Sequence, residues 1–277
     1  MPFGGENAES YYDEGLTAGM KGELGRAAKC FEKAIRLDNS YAAAYHQLGK
    51  VCLRMGDPQR AIDLIAQVVK KKPAQAAPRL DLGYAFLAAG QPQEARKEFE
   101  QLLGMDPSNV RATMGLAQTY FADCNWDMAV REAQAAVASG GSNFAALFLL
   151  GRAAKFAGNL LLSNSSLESA DKLLQKSVEL NPDQPEGHYL RGEVYFARDD
   201  FPKALEHYRA ADDRIGETES DRYFTAFGES FTQLDVLAKQ GMCYERLGRA
   251  DRAREIGERI VARNPDHRLG QSLRNSQ

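Results

Sequence analysis

The sequence predicts an all-α chain of stacked helix pairs, and three observations carry that prediction. First, residues 42–109 hold one 34-residue pattern twice: Leu48-Gly49 recurs as Leu82-Gly83, Gly56 as Gly90, Ala61 as Ala95 and Pro73 as Pro107. Such a period is the mark of a stacked-repeat architecture. Second, stepping by 34 from Ala42 places repeats at 8–41, 42–75, 76–109, 110–143, 144–184, 185–218 and 234–267, leaving insertions at about 159–166 and 219–233 and a cap at 268–277. Third, two positions stay small in register. Position 20 reads Ala27, Ala61, Ala95, Ala129, Ala170, Ala204 and Ala253, and position 8 reads Gly15, Gly49, Gly83, Ala117, Gly151, Gly192 and Gly241. Glycine inside a helix costs about 1 kcal/mol, so its recurrence at one register implies that two helices approach closely there.

The elements follow in order. Large side chains surround the small ones: Phe86, Tyr120, Tyr195 and Tyr244 at position 11, and Phe31, Ile65, Phe99, Leu174 and Tyr208 at position 24. Pro58 and Pro92 open second helices at the first position, where a missing N–H is harmless, and Pro73, Pro107, Pro182 and Pro265 close repeats. In repeat 5, GNLLLSNSS reads as a loop between the helices, with Ser165 and Glu168 spaced to cap the next one. Ahead of repeat 7, the stripe Tyr223, Phe227, Phe231, Leu234, Leu237, Gly241, Tyr244 holds to one helix face. It predicts a single long helix from about 220 to 247, started at Thr218-x-x-Asp221. Leu269 and Leu273 form a slight C-terminal cap that covers repeat 7 only partly.

Composition excludes several classes. The 35 Lys and Arg against 38 Asp and Glu leave a net charge of −3, without the positive footprint that nucleic-acid binding needs. The four cysteines, Cys30, Cys52, Cys124 and Cys243, form no C-x-x-C, which fits a reduced, cytoplasmic setting. MPFGGENAES has neither the basic nor the apolar region of a leader peptide, and no apolar run is long enough to span a membrane. No catalytic motif, cofactor site or metal set emerges. His188 and His207 share a repeat but lack a third ligand, so the expectation is a non-enzyme without cofactor.

The repeat pattern resembles the tetratricopeptide (TPR) family, whose signature runs W-x2-L-G-x2-Y, A-x3-F, P. The resemblance covers about residues 8–267 and is strongest in repeats 2, 3 and 7. It implies a right-handed α-solenoid superhelix that binds a protein segment in a concave groove lined by first helices. Carried onto this sequence, the peptide-binding candidates are Tyr12, His46, Lys50, Leu80, Tyr84, Leu87, Met114, Phe121, Phe148, Arg152, Tyr189 and Phe196. Tyr84, Phe121, Phe148, Tyr189 and Phe196, if half-exposed, offer an apolar strip of ~375–625 Å². Co-chaperone members of the family grip a carboxylate with a Lys/Asn/Asn/Lys/Arg clamp. The matching positions here hold Tyr12, Leu16, His46 and Lys50, so that clamp is absent. The expected function is a non-catalytic adaptor or scaffold for an apolar or amphipathic protein segment. The alternatives are a self-assembling scaffold, or a regulatory repeat region of a larger enzyme system.

Overall fold

A computed structural model describes residues 7–140, 143–216, 223–224 and 230–276. The chain divides into two compact units, 1–141 and 142–277. The first contains α1 (Ala8–Met20), α2 (Leu24–Leu37), α3 (Ala42–Met55), α4 (Pro58–Lys71), α5 (Ala76–Ala88), α6 (Pro92–Met105), α7 (Val110–Ala122) and α8 (Trp126–Gly140). The second contains α9 (Phe144–Phe156), α10 (Leu160–Leu180), α11 (Pro185–Ala197), α12 (Phe201–Asp212), the strands β1 (Tyr223–Phe224) and β2 (Ser230–Phe231), then α13 (Gln233–Arg246), α14 (Ala250–Arg263) and α15 (Arg268–Arg274). Within each unit, first and second helices pack pairwise in chain order, as the period requires.

The turn between paired helices repeats one backbone device. Gly22, Gly56, Gly90, Gly158 and Gly248 all have positive φ, and Cys124 and Asp199 hold the same left-handed position at φ 57° and 60°. All seven lie at position 15 of their repeats. The sequence shows this column through Gly56 and Gly90, while the Cys and Asp hide it in repeats 4 and 6.

The small positions do what their recurrence implies. A Cβ on Gly15, Gly49, Gly83 or Gly192 would stand 2.5–2.6 Å from the side chain at position 24 of the same repeat, namely Phe31, Ile65, Phe99 or Tyr208. In repeat 4 both partners change together: Ala117 replaces the glycine and Ala133 the large residue, and both are fully buried. A compensated pair keeps the core filled, which matters because interiors are close-packed.

Three expectations are corrected. Residues 159–166 are not a loop, because α10 runs unbroken over 21 residues from an Asn159 cap that accepts from Leu162 N–H. Gly151 therefore faces Leu167, and the buried Ser163, not Ala170, holds the position-20 slot. The long helix over 220–247 does not form either. Tyr223 and Phe224 pair antiparallel with Phe231 and Ser230. Thr232, with extended backbone, then starts α13 through a reciprocal capping box with Asp235. The suggested start at Thr218-x-x-Asp221 lies outside the described residues. Finally, the C-terminal cap is tight: α15 buries Leu273 to 1 % exposure, while Leu269 stays outside.

Candidate protein-binding surface

In the N-terminal unit, each first helix touches the next, so α1, α3, α5 and α7 line one side of the unit. Tyr12 packs half-buried against Phe31 and Tyr41, with ring centroids 5.7 and 5.1 Å away. His46 Nε2 lies 2.8 Å from Asp81 Oδ2 and ties α3 to α5, and Lys50 one turn on is exposed. A cavity of about 400 Å³ opens beside His46, lined also by Ala43, Val68, Lys72 and Pro78. Leu80 is buried, whereas Tyr84, Leu87 and Met114 are half-buried. Tyr84 meets Phe99 edge-on at 5.2 Å, and its hydroxyl donates to the Arg111 carbonyl at 2.9 Å. Burial pushes this phenol up to about 12. Phe121 is half-buried, edge-on to Trp126 at 5.1 Å.

In the C-terminal unit the aromatic candidates are largely consumed by packing. Phe148 is 7 % exposed, stacked on Phe144 at 5.3 Å, with the Arg152 guanidinium 5.5 Å from its ring centre. Tyr189 is 9 % exposed and stacks on Phe231 at 4.0 Å, and Phe231 in turn stacks on Tyr223 at 5.5 Å. Phe196 remains half-buried, edge-on to Phe201 at 5.4 Å, with Lys239 Nζ 5.7 Å from its ring centre. Lys239 also pairs with Glu193 at 2.7 Å, whose carboxylate accepts from the Tyr208 hydroxyl at 2.6 Å.

The expected strip of five half-exposed aromatics is thus corrected. Phe148 and Tyr189 are core side chains, so removing them damages packing. The residues that cover Tyr189 were missed because residues 223–231 lie outside the repeat register, and periodicity assigns them no neighbour. The His46–Asp81 pair was missed for another reason. Its members stand 35 residues apart, one position beyond the repeat length, so no column comparison aligns them. Among the described residues no three His, Cys, Asp or Glu side chains gather to hold a metal. Among the same residues no helix is long and apolar enough to cross a membrane.

The comparisons agree with this geometry. Tetratricopeptide repeat profiles match residues 44–77, 86–150, 157–218 and 235–267, and a TPR repeat profile matches 20–56. The fold is similar to a tetratricopeptide repeat protein from Parabacteroides merdae, at TM-score 0.64 and 14 % identity, covering 97 % of this chain and 98 % of that one. It is also similar to the Cut9–Hcn1 structure of the APC/C, at TM-score 0.61 and 20 % identity, covering 94 % of this chain and 47 % of that one. MamA matches at TM-score 0.54 and 20 % identity, over 64 % of this chain and 97 % of that one. No curated protein sequence matches. The repeat is in general a protein–protein interaction fold without catalytic function. Its period, its small–large packing columns and the profiles along its length agree, and the chain belongs to the tetratricopeptide repeat family.

Proposed function

We propose that the protein is a non-catalytic adaptor whose N-terminal unit binds an apolar or amphipathic segment of another protein along α1, α3, α5 and α7. One observation carries this reading: the candidates that keep exposed surface concentrate there. Tyr12, Tyr84, Leu87, Met114 and Phe121 are half-buried and Lys50 is exposed, while Phe148 and Tyr189 of the other unit are covered. A few aromatic anchors, Tyr and Trp above all, dominate interface energetics, and Tyr12 and Tyr84 are such residues. His46, Asp81 and Lys50 supply the polar edge that would fix the register of a bound segment.

Selection of displayed peptides against the whole chain tests the reading directly. Selected peptides are expected to share spaced apolar residues and to bind Leu87→Glu/Phe121→Ala at least about tenfold more weakly, equal to ~1.4 kcal/mol. The variant must keep its far-UV circular dichroism. Peptides that bind wild type and variant alike would place the site elsewhere.

A further inference from the structure

His188 and His207 occupy positions 4 and 23 of repeat 6, facing each other across α11 and α12 with ring centroids 6.1 Å apart. The same two positions in repeat 3 hold Arg79 and Glu98, joined by a 2.6 Å ion pair, with Arg79 Nη2 also donating to the Pro73 carbonyl at 3.1 Å. Repeat 7 fills them with Leu237 and Ile256. Repeat 6 does neither. His188 is 9 % exposed, and neither of its ring nitrogens makes a well-aligned hydrogen bond; the Pro182 carbonyl, which the ring only approaches, is the one backbone group that favours its charged form. Buried polar groups almost always find partners, so this ring is an exception that calls for an explanation. The carbonyl equivalent to that of Pro73 is that of Pro182, and Arg214 Nε already engages it at 2.6 Å.

On balance the surroundings oppose a charge on the pair, although Glu206 and Asp171 partly offset the cations at His207. Arg214 and Arg191 are the cations that face it, from beyond α12 and from α11. The carboxylate that approaches from α10, Asp171, is committed elsewhere: it accepts from Arg191 Nε at 2.7 Å and from the Tyr195 hydroxyl at 2.9 Å. Glu206 on α12 is exposed to solvent. His207 lies flat against the Tyr195 ring at 5.3 Å.

We propose that repeat 6 is an acid-sensitive joint, in which protonation of the His188–His207 pair separates α11 from α12 while the N-terminal unit stays folded. Burial, then the nearby guanidiniums, lowers His188 from its ordinary 6.5 and brings His207 down to about 4. A histidine depressed in the folded state contributes its full stability above the unfolded value of 6.5. It loses that stability as pH falls from there toward about 4. Because α11 carries Tyr189, opening it uncovers the face on which Phe231 stacks.

Hydrogen exchange of the full chain from pH 7.5 to 5, corrected for the intrinsic rate, reads this out. Below pH 6.5 the opening equilibrium of α11 and α12 is expected to rise by up to about tenfold per pH unit for each histidine, with no such rise in α3–α6. The double variant His188→Leu/His207→Ile copies the pair of repeat 7 and is expected to abolish that rise. If it does not fold, His188→Leu alone is expected to reduce the slope. His267 caps α15 through Nδ1, which accepts from Gly270 N–H at 3.1 Å, so it is controlled separately. His267→Asn should leave the slope over α11 and α12 unchanged. Flat protection of wild-type α11 and α12 across this range, or a slope that survives removal of the pair, overturns the proposal.

Discussion

Replacing Gly257 by alanine is expected to expel α15. Gly257 sits in mid α14 at the position where repeats 1 to 3 carry Phe31, Ile65 and Phe99. Here the filling side chain comes from outside the repeat: Leu273 of α15 reaches so close to Gly241 that a Cβ there would stand 2.5 Å from it. The α15 backbone itself lies over Gly257, whose added Cβ would meet Arg274 N at 2.3 Å and Arg274 Cα at 2.8 Å. A side chain can turn away from such a clash, but backbone cannot, so α15 must leave. Exposing Leu273 forfeits roughly 1.5–3 kcal/mol, and Gly→Ala within a helix returns about 1 kcal/mol. The net loss is about 0.5–2 kcal/mol. Deleting residues 268–277 in the Gly257→Ala background should then cost nothing further, because the deletion has nothing left to remove. Peptide-level hydrogen exchange over α13–α15 checks this. Full retention of α15 protection in Gly257→Ala would refute the account of the cap.

Two further outcomes follow from the packing. Gly83→Ala should destabilise the N-terminal unit by up to about 2 kcal/mol, overpacking less the gain in helix propensity. Phe99 cannot retreat, since it is pressed equally close against Gly115 from the other side. Urea unfolding followed by the fluorescence of Trp126, the sole tryptophan, reports on that unit. Among the four cysteines, only Cys124 is exposed. Cys30, Cys52 and Cys243 are buried, and burial pushes the Cys243 thiol up to about 12. A thiol reagent at pH 8 should therefore modify one cysteine per native chain quickly, and Cys124→Ser should abolish that phase.

Much of the fold was legible because the repeat is a packing device written into the sequence. A glycine or alanine at position 8 and a large residue at position 24 are one contact seen twice, and 34 residues return the chain to the same contact with the next neighbour. The surface was less legible for a physical reason. The positions that line the inner side also touch the following segment, and sequence alone does not say how much of each is covered. Tyr41 sits on Tyr12, Phe144 on Phe148 and Phe231 on Tyr189. Tyr41 and Phe231 come from the stretch ahead of the next first helix, whereas Phe144 lies one turn earlier on the same helix as Phe148. The segment at 223–231 misled because its aromatics also fit a helical stripe. Strand pairing and the Thr232 cap outweigh that local pattern.

Repeat 5 shows why an insertion of seven residues is hard to place. Seven residues make about two helical turns, with a drift of only ~20°, so a helix lengthened by seven presents nearly the same face twice. Ser163 with Leu167, and Ala170 with Leu174, are small–large pairs at the same spacing, and all four are buried. Sequence periodicity cannot choose between them. The structure gives the contact to the first pair and puts the two extra turns at the C-terminal end of α10, where Val178 meets Gly187 at the start of α11. A double-mutant cycle decides the register independently. A Cβ on Gly151 would stand 2.5 Å from Leu167 Cγ and 2.7 Å from its Cδ2. Leu167→Ala alone should cost about 2–5 kcal/mol. Because it also removes the clash, combining it with Gly151→Ala should cost less than the two changes added, by on the order of 1–2 kcal/mol. Leu174→Ala should add to Gly151→Ala without coupling. Coupling to Leu174 and none to Leu167, measured by chemical denaturation, would put the insertion between the helices and return position 20 to Ala170.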